Sequence, residues 1–307
     1  MTLDRRDFLL ASAGAAGALD FVAESRAAES RAAGRGAPFT LDYAPHFDMF
    51  AQSAGRDLVD QIAFMADQGF RSLEDNWMAN RSPAEQEKIR AALDKHGMRM
   101  GVFVAHAEFG KPTFTSADPA ARERITADIK RAVEVAERVG AKWCTVVPGA
   151  YERNREWDYQ TANVIDNLRR AAELCEPSGL VMVLEPLNWW SDHGGVFLHK
   201  TAQAFLICRA VDSPSCKILF DIYHQQISEG HLIRNIDQAW NEIAYFQIGD
   251  NPGRCEPGTG EIHYANLLRH IHAKGYTGIL GMEHGNSKPG KEGEAAVIAA
   301  YRAVDPR

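Results

Sequence analysis

From residue 40 onward the chain alternates, eight times over, between a short apolar run and a stretch whose apolar residues recur every three to four positions. A short apolar run reads as a strand, and a 3.6-residue period as a helix with one buried face. The strand-like runs fall at residues 40–46, 70–75, 98–105, 142–147, 180–185, 216–221, 244–248 and 278–283. The helix-like stretches fall at 55–68, 82–96, 118–139, 157–176, 200–211, 231–241, 261–274 and 291–303. Gly69, Gly97, Gly140, Gly179 and Gly275 stand where a helix would end in a left-handed cap, and Ser82-Pro83 and Asp118-Pro119 each place a capping side chain before a first-turn proline. Eight strand-then-helix units predict an α/β fold, a single-domain (β/α)8 TIM barrel, for which roughly 250 residues is typical. An open doubly wound sheet is the competitor, but no GxGxxG turn follows the first strand.

Four of the strand-like runs end in an oxygen-bearing side chain: LVMVLE at Glu185, KILFD at Asp221, AYFQ at Gln247 and GILGME at Glu283. The separations are 36, 26 and 36 residues, each close to one strand-helix unit, which assigns them to strands five to eight. In a (β/α)8 barrel, neighbouring strand ends face one bowl. Two glutamates, an aspartate and a glutamine offer oxygen donors only, which suits a hard divalent cation, Mg2+ or Mn2+, and disfavours zinc. Three carboxylates leave a filled site close to electroneutral.

Residues beside these four complete the expected bowl. His224, three positions after Asp221, is placed to hydrogen-bond a substrate. The Gly/Pro-rich loop after Gln247 carries Arg254, whose planar fork suits a carboxylate or hydroxyl pair, and Glu256, which reads otherwise as a partner orienting Arg254. Glu74 and Trp77, at the end of strand two, are expected to face the bowl and bind substrate. His46, His106, His193, Trp189 and Trp190 stay without an assigned role.

Of the 307 residues, 45% are hydrophobic and 24% charged, with a net charge of -7. That balance argues against a nucleic-acid partner, so an anionic substrate would be held by local cations. The five cysteines show no CxxC pair, which fits neither a disulfide framework nor a zinc site. At the N-terminus, Arg5 and Arg6 precede a small-residue apolar segment, Leu9 to Leu19, too short to span a bilayer. Residues 1–37 therefore read as a twin-arginine-type export signal and flexible linker, and 38–307 as the barrel domain. The expected location is periplasmic or otherwise exported, with the twin-arginine machinery as a partner and no stable membrane anchor. Whether the chain forms a homo-oligomer is open.

The segments LEPLN, FDIYHQQ with HLIRN, YFQIGDNPGRCEPGTGEI and GMEHG resemble the hydroxypyruvate isomerase family, within the xylose-isomerase-like TIM barrels. The resemblance implies that Glu185, Asp221, Gln247 and Glu283 are metal ligands, that Glu185 and Glu283 also pass the proton, and that His224, Arg254 and Glu256 line the substrate. It implies a metal-assisted aldose-ketose isomerase acting on a small-molecule substrate, with hydroxypyruvate giving 2-hydroxy-3-oxopropanoate (tartronate semialdehyde) through an enediolate. A ketose 3-epimerase using the same metal and glutamate pair is the near alternative, although Gln247 stands where epimerases usually carry His. A non-catalytic periplasmic binder of sugars or organic acids, with Trp77, Trp189 and Trp190 as stacking surfaces, is the alternative of another class. The loops APHFDMF, EDNWMANR, VAHAEF, NWWSDHGG and HGNSKPG depart from the family's texts, so the substrate is what the resemblance specifies least.

Overall fold

A computed structural model describes residues 36–307. The segment expected to be an export signal, and nearly all of the linker, lie outside the described residues. Nine strand segments follow in chain order: β1 (Asp42–Ala44), β2 (Ser72–Leu73), β3 (Arg99–Met100), β4 (Val104–Ala107), β5 (Trp143–Val147), β6 (Val181–Leu184), β7 (Cys216–Asp221), β8 (Ile243–Gln247) and β9 (Ile279–Gly281). All pair in parallel. They run β1-β9-β8-β7-β6-β5-β4 in one sheet and β2-β3 in another, and a parallel bridge between His46 and Glu74 joins the two. The third barrel strand is thus broken into β3, paired to β2, and β4, paired to β5. With that break counted as one strand, the expected (β/α)8 barrel stands.

The helices cover the outside: α1 (Ala51–Ala54), α2 (Leu58–Asp67), α3 (Pro83–His96), α4 (Pro119–Val139), α5 (Trp157–Cys175), α6 (Thr201–Val211), α7 (Ile222–Ser228), α8 (Leu232–Ala239), α9 (Tyr264–Ala273) and α10 (Gly290–Val304). Their ends follow the sequence signals. Ser82 and Glu85 close a reciprocal capping box on α3, Asp118 accepts from the Ala120 amide to start α4, and Gly97 and Gly140 end these helices with φ of 66° and 69°. Two helices went unpredicted, α1 and α7. The second starts directly on Asp221, whose carboxylate accepts from the amides of Tyr223 and His224.

The core has two layers. Most buried apolar side chains sit between barrel and helices, while Ala44, Val102, Trp143, Val183, Leu219, Tyr245 and Ile279 fill the barrel's interior. Side chains alternate along a strand, so two residues beyond this apolar floor the next inward positions are Glu185, Asp221, Gln247 and Gly281. Register agrees, with Asp221 opposite Gln247 and Gln247 opposite Gly281. The polar bowl therefore rests directly on the apolar plug. The cysteines are free, four of them buried.

Candidate active site

Three side chains of the bowl gather into one cluster. One ligand atom each from Glu185, Asp221 and His224 lie within 4.8 Å of one another. His224 Nε2 stands 3.8 Å from Glu185 Oε1 and 3.6 Å from Asp221 Oδ2. The ring's other nitrogen, Nδ1, faces the Asn188 side-chain amide at 2.7 Å and the Asn188 backbone amide at 3.4 Å. The orientation of that Asn188 amide follows from its other partners, since its oxygen accepts from the Ser191 and Asp192 amides and its nitrogen donates to Asp192. Nδ1 is therefore an acceptor, and the neutral ring carries its proton on Nε2, aimed at the carboxylates. Burial and the nearby Arg254 charge push the His224 pKa down to about 3, so the ring is neutral and donates as a neutral group.

Arg254 sits across the bowl in a left-handed conformation, φ 48°. Its Nη2 lies 3.0 Å from Asp221 Oδ2 and 2.7 Å from Glu283 Oε2, and its Nε donates to the Glu283 carbonyl. Its guanidinium also lies 4.7 Å from the Tyr223 ring centre. Burial opposes the charge, but Glu283, Asp221 and Glu185 together raise its pKa further, so Arg254 stays protonated. The other Glu283 oxygen accepts from Asn76 at 2.6 Å. Asn76 was not singled out from the sequence, although its place just past the second strand was the available signal.

Burial, reinforced by the charges of Glu283 and Asp221, raises the Glu185 pKa well above that of an ordinary glutamate. Burial also raises Asp221, against the pull of Arg254 and of the two backbone amides it caps. A crowded carboxylate cluster of this kind favours either a proton or a cation.

Gln247 and Glu74 form a second tier. The Gln247 amide donates to Glu74 Oε1 at 2.6 Å, and Tyr245 donates to Glu74 Oε2 at 2.7 Å. His46 Nε2 lies 3.0 Å from the same Glu74 Oε1. Glu74 is fully buried and spends its oxygens on these three groups. The tie fixes the Gln247 amide so that its Oε1 is buried without a hydrogen-bond partner among the described residues. Such an oxygen, beside the carboxylates of Glu185, Asp221 and Glu283, has the donor chemistry that would fit a hard cation.

The remaining expected site residues lie further out. Glu256 is buried and binds the backbone amide and hydroxyl of Ser287, and makes no hydrogen bond to Arg254. Its loop is organised by Asp250, which accepts from four backbone amides, those of Asn251, Gly258, Gly260 and Ile262. Trp77 is 70% exposed. His193 stacks on Phe109 and tilts toward His224, ring centres 5.4 Å apart. Trp189 donates to the Val196 carbonyl and stacks on His199, while His106 bridges Asp128 and Thr113.

A polar bowl at the strand ends of a parallel barrel defines a TIM-barrel enzyme site. Residues 62–304 match the model of the xylose isomerase-like TIM barrel family, and the chain belongs to that family. The hydroxypyruvate isomerase of Escherichia coli (strain K12) is 33% identical over 188 residues, 61% of this chain and 70% of that protein. The 2-oxo-tetronate isomerase of Cupriavidus necator is 30% identical over 232 residues, 74% of this chain and 86% of that protein. Both relatives are isomerases, the enzyme class expected from the sequence. Among solved structures, a D-psicose 3-epimerase from Clostridium cellulolyticum H10 superposes with a TM-score of 0.70 at 18% identity, covering 87% of this chain and 100% of that one. A protein from Brucella melitensis described as AP endonuclease, family 2, gives 0.72 at 22% identity, covering 84% and 98%. At these identities the superpositions establish the fold alone.

Proposed function

We propose that the protein is a metal-assisted aldose-ketose isomerase of short hydroxy-carbonyl acids, with hydroxypyruvate to tartronate semialdehyde as the reaction to test first. The relatives named for hydroxypyruvate and 2-oxo-tetronate support the substrate class. The observation that carries the proton-transfer chemistry is the pairing of two differently held carboxylates across one bowl. Glu185 is buried with its pKa raised, and Glu283 is fixed by Asn76 and Arg254.

In this reading Glu185, Asp221, Gln247 and Glu283 would hold a Mg2+ or Mn2+ ion. When bound, the ion supplies Lewis acidity that stabilises negative charge on the substrate's adjacent oxygens. One glutamate removes the proton from the hydroxymethyl carbon, giving an enediolate, and a proton is returned to the neighbouring carbon from the other. A hydroxyl proton moves between the two oxygens, so no net oxidation or reduction occurs. His224 Nε2–H donates to a substrate oxygen, and Arg254 holds the carboxylate. The arginine pair Arg5-Arg6 supports a further reading, export by the twin-arginine route to the periplasm.

Deuterium entry from heavy water into hydroxypyruvate, followed by NMR with Mg2+ or Mn2+ present, tests the reaction. Glu185→Gln and Glu283→Gln are each expected to lower turnover by roughly 10^2 to 10^4-fold while circular dichroism stays unchanged. Full activity in either variant overturns the assignment.

A further inference from the structure

Asn188, which follows β6 at the end of the run LEPLN, is fully buried and meets His224 on the ring edge opposite the carboxylates. Its side-chain nitrogen lies 2.7 Å from His224 Nδ1 and 2.7 Å from Asp192 Oδ2, so both of its protons are committed. Its oxygen accepts from the Ser191 and Asp192 amides at 3.0 Å and 3.3 Å. Turning the side-chain amide over would set its oxygen against the Asp192 carboxylate and its nitrogen against two backbone N–H groups. The Asn188 backbone amide points at Nδ1 as well, at 3.4 Å. The segment is closed on itself, with the His193 amide donating to the Asn188 carbonyl and the Trp189 indole to the Val196 carbonyl. The loop NWWSDHGG, which the sequence left without a role, thus acts on His224 from behind.

That polarity matters because of what His224 Nε2 faces. Two carboxylates and an imidazole whose ligand atoms lie within 4.8 Å of one another are a donor set that zinc accepts. A histidine that ligates a metal presents a lone pair to it and donates its other ring N–H, commonly to a carboxylate or a backbone carbonyl. His224 has the opposite arrangement. Two donors converge on Nδ1, and the proton sits on Nε2, 3.8 Å from Glu185 and 3.6 Å from Asp221. A protonated Nε2 has no lone pair to offer a cation.

We infer that Asn188, ordered by Asp192 and the Ser191 amide, is a positioning residue that locks His224 as a hydrogen-bond donor and bars its imidazole from the cation's ligand set. The lock leaves oxygen donors for the cation and reserves Nε2–H for the substrate. The lock itself stands on the hydrogen bonds, while its use in turnover rests on the isomerase reading.

Nitrogen-15 NMR of the full chain with labelled histidine and Mg2+ present, with His224→Gln to assign the signals, reads the tautomer directly. The native ring is expected to show an unprotonated Nδ1 and a protonated Nε2. Asn188→Asp sets an acceptor against the ring and is expected to place a proton on Nδ1. The swap of Asn188→Asp with Asp192→Asn does the same while keeping the net charge and the contact between the two side chains, so the test does not depend on the single variant folding. Calorimetry is expected to show the ratio of Zn2+ to Mn2+ affinity rising roughly 10 to 100-fold in these variants, since a ring that donates through Nδ1 can turn its Nε2 lone pair to a cation. A native ring protonated on Nδ1, or an Nδ1 left unprotonated in the variants, overturns the lock. An unchanged ratio of Zn2+ to Mn2+ affinity overturns the exclusion of the imidazole from the cation. The expected tautomers in a chain that turns over no hydroxy-carbonyl acid support the lock and overturn the isomerase reading instead.

Discussion

Asp221 divides its carboxylate between two tasks, one oxygen capping α7 through the Tyr223 and His224 amides and the other meeting Arg254. Arg254 in turn spans Asp221 and Glu283, a fixed positive charge bridging these carboxylates. A guanidinium so placed offsets like-charge repulsion in the absence of a cation and competes with a cation for the same oxygens. Arg254→Met is therefore expected to destabilise the cation-free protein by about 2 kcal/mol, less than the loss of a fully buried pair because Arg254 is partly exposed. Added Mg2+ or Mn2+ should raise the melting temperature of the variant more than that of the native protein. Equal increments in both would show that Arg254 and the cation do not share ligands.

At the scale of the element, the decisive fit is between β9, β2 and the broken third strand. A methyl group on Gly281 would stand 1.8 Å from Glu74 Oε2, and one on Gly101 would stand 2.5 Å from the Tyr245 hydroxyl. Two glycines thus open the space in which Glu74 and Tyr245 meet, and the third strand breaks where the Val102 amide turns to the Tyr245 hydroxyl. Gly281→Ala should cost about 3 kcal/mol, the upper end for overpacking, because Glu74 is held by three partners and cannot retreat. Gly194→Ala, whose methyl group would meet only ordinary contact, is the control, and thermal denaturation compares the two. The strand-helix alternation was legible because periodicity and caps such as Ser82 and Asp118 are local signals. The inward set Glu185, Asp221, Gln247 and Glu283 was legible because strand ends follow from spacing. The burial of Glu74 was not, since it depends on Tyr245, Gln247 and His46 arriving from other strands. Neither was α7, only seven residues long, with too few turns to display a period.

Over the whole molecule, burial sets the response to acid. His106, His193, His199, His224 and His284 all have pKa values lowered, with burial the largest cause, to about 3 for His224 and about 4 for His284. For each, the unfolded chain binds its proton near pH 6.5 while the folded one does not, so their contribution to stability is present above about pH 6.5 and is lost as pH falls toward the folded values. Glu185 and Asp221, with raised values, act in the opposite sense, and their crowding is relieved by acid. His106 separates the two effects because it lies outside the carboxylate bowl, between Asp128 and Thr113. Its depression is set by burial against the opposing pull of the Asp128 hydrogen bond and charge. His106→Gln is expected to melt lower than the native protein at pH 7 yet lose less melting temperature between pH 7 and pH 5, since one proton fewer is taken up on unfolding. Parallel curves for the two proteins would mean that His106 is already charged in the folded state, with the Asp128 interaction outweighing burial.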